Sequence, residues 1–145
     1  PGLQTGYCES TGGGWSTLFV AHDDQVHAVP TALDDDQAVM IEPTACAVHG
    51  VLRAQVPKGA LAVVIGAGTL GLLAVAALRH LSKPQTIIVG AKYPEQRDNA
   101  IRLGADIVVE PGEVRRAVRR ATKSYAVGDT MSDGADVVID CVGDA

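Results

Sequence analysis

Three glycines, at positions 66, 68 and 71, stand between an apolar run, Ala60 to Ile65, and an alanine- and leucine-rich run, Thr69 to Leu81. The first run is short and bounded by turn residues, so it reads as a fully buried parallel strand. The second reads as a helix. A chain that leaves a buried strand and enters a helix this quickly must turn tightly, and each glycine answers a separate demand. Gly66 permits the turn, Gly68 lets the backbone approach a ligand closely, and Gly71 lets the helix lie close to the strand. Around this turn the chain is an α/β protein.

The same alternation continues. Thr86 to Val89 reads as a strand, and Glu95 to Leu103 as a helix stopped by Gly104. Ile107 to Val109 is a third strand, Glu113 to Tyr125 a helix, and Ala135 to Val142 a fourth strand. Strands and helices at this spacing imply right-handed crossovers and a doubly wound parallel sheet of the Rossmann kind. Before it, Trp15 to Ala21 and Val26 to Val29 read as short strands around the Gly12–Gly14 breaker. Leu33 to Asp36 reads as a helix start with an aspartate cap, Pro43 suits a first helical turn, and Thr44 to Gln55 continues as helix. Residues 1–32 thus form one segment, 33–58 connecting helices and 59–145 the doubly wound domain.

The glycine turn points to a dinucleotide. The helix that begins at Thr69, Leu70 and Gly71 offers free N–H groups and the positive end of its dipole to a pyrophosphate. An acid about 20 residues after the turn holds the ribose 2′-hydroxyl of NAD. Here Gly90 falls at that place, in Val89-Gly90-Ala91-Lys92, and no acid is present. Lys92 and Arg97 are the cations within reach of a 2′-phosphate. This pattern favours NADP(H) over NAD(H).

Composition excludes several other classes. The formal net charge is −5 and the pI about 5.2, which argues against nucleic-acid partners. Residues 1–65 hold two basic and seven acidic side chains, whereas residues 66–145 are balanced. The basic stripe of Arg115, Arg116, Arg119, Arg120 and Lys123 therefore reads as a solvated helix face. The three cysteines, Cys8, Cys46 and Cys141, include no C-x-x-C pair, so neither a disulfide framework nor a four-cysteine zinc site is expected. Glycines interrupt the most apolar stretch, Leu61 to Leu78, so no membrane partner is expected. No secretory leader is visible, and a cytoplasmic protein is the expectation. The chain starts at Pro1 and stops just after a strand signal, which reads as a fragment.

Taken together, these residues resemble the medium-chain dehydrogenase/reductase superfamily, in its zinc-dependent sorbitol and threonine dehydrogenase-like branch. Gly12-Gly13-Gly14-Trp15-Ser16, followed by Val29-Pro30, resembles the tail of that family's GroES-like β catalytic domain. Ile41-Glu42-Pro43, followed by Ala47-Val48-His49, resembles its "EP…A.H" helix, and the glycine turn follows in the expected order. The resemblance implies zinc-assisted hydride transfer between an alcohol or carbonyl substrate and a nicotinamide, in a homo-oligomer when complete. It implies Glu42 as a ligand of the zinc or its neighbour, and Lys92 of Gly90-Ala91-Lys92 as the 2′-phosphate contact. Cys141, Val142 and Gly143 fall where the family's strand end lies beside the cofactor's inner ribose. The family's other zinc ligands lie N-terminal to this chain, and its closing strands would follow Ala145. His22, His27, His49, Cys8 and Cys46 are not at ligand spacing with one another. Alternatives are a dinucleotide-binding module without catalytic activity and a zinc-free reductase of the same superfamily. A methyltransferase is disfavoured, because Gly90 supplies no acid at the end of the second strand.

Overall fold

A computed structural model describes residues 12–128 and 130–143, and the chain forms two compact units, 1–38 and 39–145. Cys8 lies outside the described residues. In the first unit the strands expected at Trp15–Ala21 and Val26–Val29 do not form. Turns fill the segment, with one 3-10 turn at Asp23–Gln25 and one short helix, α1, at Asp35–Ala38. A strand needs a neighbour for its amides, and no described segment of this unit offers one. Trp15, Leu18 and Val20 consequently stand exposed. The expected aspartate cap does form: Asp34 Oδ1 accepts from the Gln37 amide at 2.8 Å, and Gln37 Oε1 accepts from the Asp34 amide at 3.2 Å.

The second unit begins with helix α2, Ile41–Arg53, which carries Pro43 in its first turn as expected. Strand β1, Leu61–Ile65, runs through the glycine turn into α3, Thr69–Ala77. A π-turn at Leu78–Ser82 prolongs α3, and Lys83 closes it in the left-handed conformation. Then come β2 (Thr86–Gly90), α4 (Pro94–Arg102), β3 (Ile107–Val109) and α5 (Val114–Thr122). Helix α5 stops three residues short of the expected Tyr125, because Lys123 turns left-handed. A small antiparallel pair follows, β4 (Ala126–Val127) with β5 (Thr130–Met131), where no strand is expected from the sequence. The last strand, β6, spans Val137–Asp140, shorter than the expected Ala135–Val142.

Four strands form one parallel sheet in the order β3-β2-β1-β6. The order reverses direction between β1 and β6, which is the switch point of a doubly wound sheet. Side chains alternate across it. Ala62, Val64, Ile87 and Val89 face α2, α3 and α4, in a cluster that includes Val51, Ala74, Val75 and Leu78. Val63 and Ile88 face α5, with Ala117 and Val118. Burial on both faces explains why β1 and β2 are unbroken apolar runs rather than alternating ones. The far end of α3 is pinned to the loop before β3. Arg79 donates to the Gly104 carbonyl at 2.9 Å and 2.6 Å, and to Asp106 Oδ2 at 2.6 Å. The same Asp106 oxygen accepts from the Ile87 amide at 2.7 Å. No described helix is long and apolar enough to cross a membrane.

Candidate functional site: the glycine turn and the strand ends beside it

The register places Ile65, Gly90 and Asp140 side by side at the C-terminal edge of the sheet. The loops that follow them meet there. In open α/β sheets the crevice beyond these strand ends is where ligands bind.

The three glycines of the turn are not equivalent. Gly66 has a φ of +89°, and a Cβ on it would meet Val142 Cγ2 at 2.8 Å. A Cβ on Gly71 would stand 1.9 Å from the Gly66 carbonyl oxygen. Both positions are closed by the protein itself. A Cβ on Gly68 would meet nothing within 4 Å. Gly68 is also the N-cap of α3, extended at φ −76° and ψ −169°, and no side chain caps the helix there. The first amides of α3, from Thr69 to Gly71, are thus left without a side-chain partner beside an open space. Uncapped amides at a helix start, beside open space, are the kind of backbone donors that can receive an anion.

Cys141 packs beneath this turn, with its Cβ at 3.5 Å from the one Gly71 lacks. Burial, and then the neighbouring Asp140 carboxylate, push the Cys141 thiol pKa upward. Asp140 also accepts from the Val142 amide at 3.0 Å, which shapes the backbone leading to Gly143.

At the end of β2 the sheet's alternation sharpens the expectation drawn from sequence. A Cβ on Gly90 would point at Val114, 2.8 Å from its Cγ2, on the α5 side. Glycine at 90 therefore makes room for α5. The side chain on the same face as the glycine turn is that of Ala91, fully buried and in one cluster with Ala67. Neither residue supplies a carboxylate. Lys92 is exposed, with its ammonium 5.5 Å from the centroid of the Tyr93 ring. Arg97 is engaged: its Nε donates to the Ala91 carbonyl at 3.1 Å, and its Nη2 to the Lys92 carbonyl at 3.0 Å. The same Nη2 pairs with the Glu110 carboxylate. Glu110 is the residue that sequence reasoning missed. The sheet register contains the signal, because Gly90 lies opposite Val109 and the residues after each strand are therefore neighbours.

Glu42 is exposed in the first turn of α2 and accepts from Cys46 Sγ at 3.1 Å, one helical turn on. Among the described residues no third donor joins this pair. The one triple of possible metal donors among them is His22, Asp23 and Asp24, all exposed and in the first unit. His22 there is occupied in capping its own 3-10 turn. Glu42 and Cys46 by themselves thus offer two donors, one fewer than a catalytic zinc site takes from its protein. A cleft of about 320 Å³ lies at the opposite edge of the sheet, between Gly59, Thr86 and Asp136, and touches none of the expected cofactor residues.

No protein-family model matches the chain. Individual proteins do. A sorbitol dehydrogenase of Halalkalibacterium halodurans is 33% identical over 90% of this chain and 36% of its own length. A probable D-xylulose reductase A of Arthroderma otae is 37% identical over 86% of this chain and 34% of its own. Among solved structures, a putative zinc-binding dehydrogenase from Sinorhizobium meliloti 1021 bound to NADP superposes with a TM-score of 0.62. It is 32% identical, over 81% of this chain and 33% of that one. A short chain alcohol dehydrogenase from E. coli CFT073 complexed with NADH also gives 0.62. It is 26% identical, over 78% of this chain and 31% of that one. The chain spans about a third of the length of the curated relatives it matches.

Proposed function

We propose that the chain is the dinucleotide-binding portion of an NAD(P)-dependent alcohol or polyol dehydrogenase of the medium-chain dehydrogenase/reductase superfamily, a reading supported by its similarity to a sorbitol dehydrogenase, a D-xylulose reductase and an alcohol dehydrogenase. The observation that carries this reading is the contrast among the turn glycines. Protein atoms close positions 66 and 71, while position 68 faces open space at an uncapped helix start. The Thr69, Leu70 and Gly71 amides hold the pyrophosphate, and the segment Cys141–Gly143 lies along the inner ribose. When bound, the nicotinamide supplies the hydride chemistry; this portion of the chain binds and orients it.

The cofactor is NADP(H) in preference to NAD(H). The absence of a carboxylate at Ala91, which shares a face with the glycine turn, supports this, since an acid there would repel a 2′-phosphate. Lys92, exposed beside the strand end, is the phosphate contact. The relatives with bound cofactor include one with NADP and one with NADH, so the preference rests on these residues.

Glu42 would supply one ligand to a zinc ion, a role supported by its exposure at the start of α2, with the other donors coming from outside the described residues. A chain limited to these residues binds a dinucleotide without turning over an alcohol. The complete protein acts on a small alcohol or carbonyl compound, a reading supported by the names of its relatives.

Calorimetric titration of the chain with NADP(H) and NAD(H) tests the reading. Saturable binding of both, tighter for NADP(H), is the expected result. Absence of binding would refute the dinucleotide assignment, and equal or reversed affinities would refute the preference.

A further inference from the structure

Building on that dinucleotide assignment, we infer that Glu110 is a specificity-determining residue that limits the preference for a 2′-phosphate by neutralising Arg97. The end of β2 carries two cations, Lys92 and Arg97, but they stand in different circumstances. Arg97 is tied down, through Nε to the Ala91 carbonyl and through Nη2 to the Lys92 carbonyl. It is a positioning residue, fixing the backbone from which Lys92 projects. Its positive charge is then met by Glu110, which reaches it from the end of the neighbouring strand β3.

The consequence is electrostatic. With Glu110 ionised, the strand-end loop offers a 2′-phosphate the net charge of one cation rather than two. Arg97 and Glu110 side chains are 32% and 56% exposed, so solvent weakens the pairing without abolishing it. NAD(H) has a hydroxyl in place of the phosphate, and its anionic pyrophosphate lies farther off at the glycine turn, so it senses this difference in charge more weakly. Glu110 thus acts on the ratio of the two affinities more than on dinucleotide binding as such.

The test is titration of the full chain and of its Glu110→Gln and Glu110→Asp variants with NADP(H) and NAD(H), at low and high salt. Glu110→Gln is expected to tighten NADP(H) roughly three- to fivefold, with a smaller change for NAD(H). The gain should shrink at about 1 M salt, where the screening length falls to roughly 3 Å. Glu110→Asp keeps the charge and should keep the parent ratio. The inference is overturned if Glu110→Gln leaves the ratio unchanged, shifts both dinucleotides equally, or is matched by Glu110→Asp. If the parent chain binds neither dinucleotide, the assignment beneath the inference fails and takes the inference with it. A parent that binds with an unresponsive Glu110→Gln overturns the inference alone.

Discussion

The carbonyl oxygen of Gly66 occupies the place where a side chain at Gly71 would begin, 1.9 Å from the position of the missing Cβ. The contact is with backbone, and that backbone is itself held at a φ of +89° by the turn. Neither partner has a rotamer to change. A methyl group at 71 must therefore push α3 away from β1. Gly71→Ala is expected to destabilise the fold by about 3 kcal/mol, the upper part of the usual range for overpacking, and to abolish dinucleotide binding. Urea denaturation with and without the cofactor measures both effects, and a stable Gly71→Ala protein would contradict the packing described here.

Position 68 separates folding from binding. Its φ of −76° is open to any residue, and its missing Cβ would touch nothing. Gly68→Ala is therefore expected to change stability by no more than about 0.5 kcal/mol, as for an ordinary surface substitution. A pyrophosphate seated against the backbone would meet the new methyl, so affinity for both dinucleotides should fall by about tenfold or more. A variant with parent-like binding would mean that the open space at Gly68 is not where the ligand lies.

The residues that were legible in the sequence are those whose demand is local. Gly66 and Gly71 declare a turn and a close approach, and an apolar run such as Leu61–Ile65 declares burial on both faces. The strands expected at Trp15–Ala21 and Val26–Val29 did not form, because β-rich composition specifies a strand only when another strand accepts its hydrogen bonds. The end of β2 shows a finer limit. Sequence spacing pointed to Gly90, but successive residues on a strand face opposite ways, and it is Ala91 that shares a face with the glycine turn. Glu110 was invisible because it lies 13 residues from Arg97, and only strand pairing brings them together.

Lys92 is the exposed cation left to read a 2′-phosphate once Arg97 is committed to two carbonyls and Glu110. A charge-assisted hydrogen bond to phosphate is worth about 1.5–3 kcal/mol. Lys92→Ala should weaken NADP(H) binding by roughly tenfold or more and leave NAD(H) binding near its parent value. Paired titrations give the ratio directly. If it does not move, the phosphate is held by another group and Lys92 is a solvated surface lysine.

Cys141 offers a readout of the same crevice through its titration. Its thiol pKa is raised, first by burial and then by Asp140 beside it. Alkylation proceeds through the thiolate, so a raised pKa moves the whole rate–pH profile to higher pH. Near pH 8.5, Cys141 should react more slowly than an unperturbed cysteine. Asp140→Asn removes the negative charge while its amide oxygen still accepts from the Val142 amide, 3.0 Å away in the parent. The profile should then move part of the way back to lower pH, since the burial contribution remains. A dinucleotide bound along Cys141–Gly143, as proposed, should slow alkylation of both proteins. Iodoacetamide labelling across a pH series, followed at the Cys141 peptide by mass spectrometry, tests all three statements. A profile that Asp140→Asn leaves in place would mean burial alone sets the shift. Labelling that NADP(H) does not slow would remove the Cys141 segment from the cofactor site.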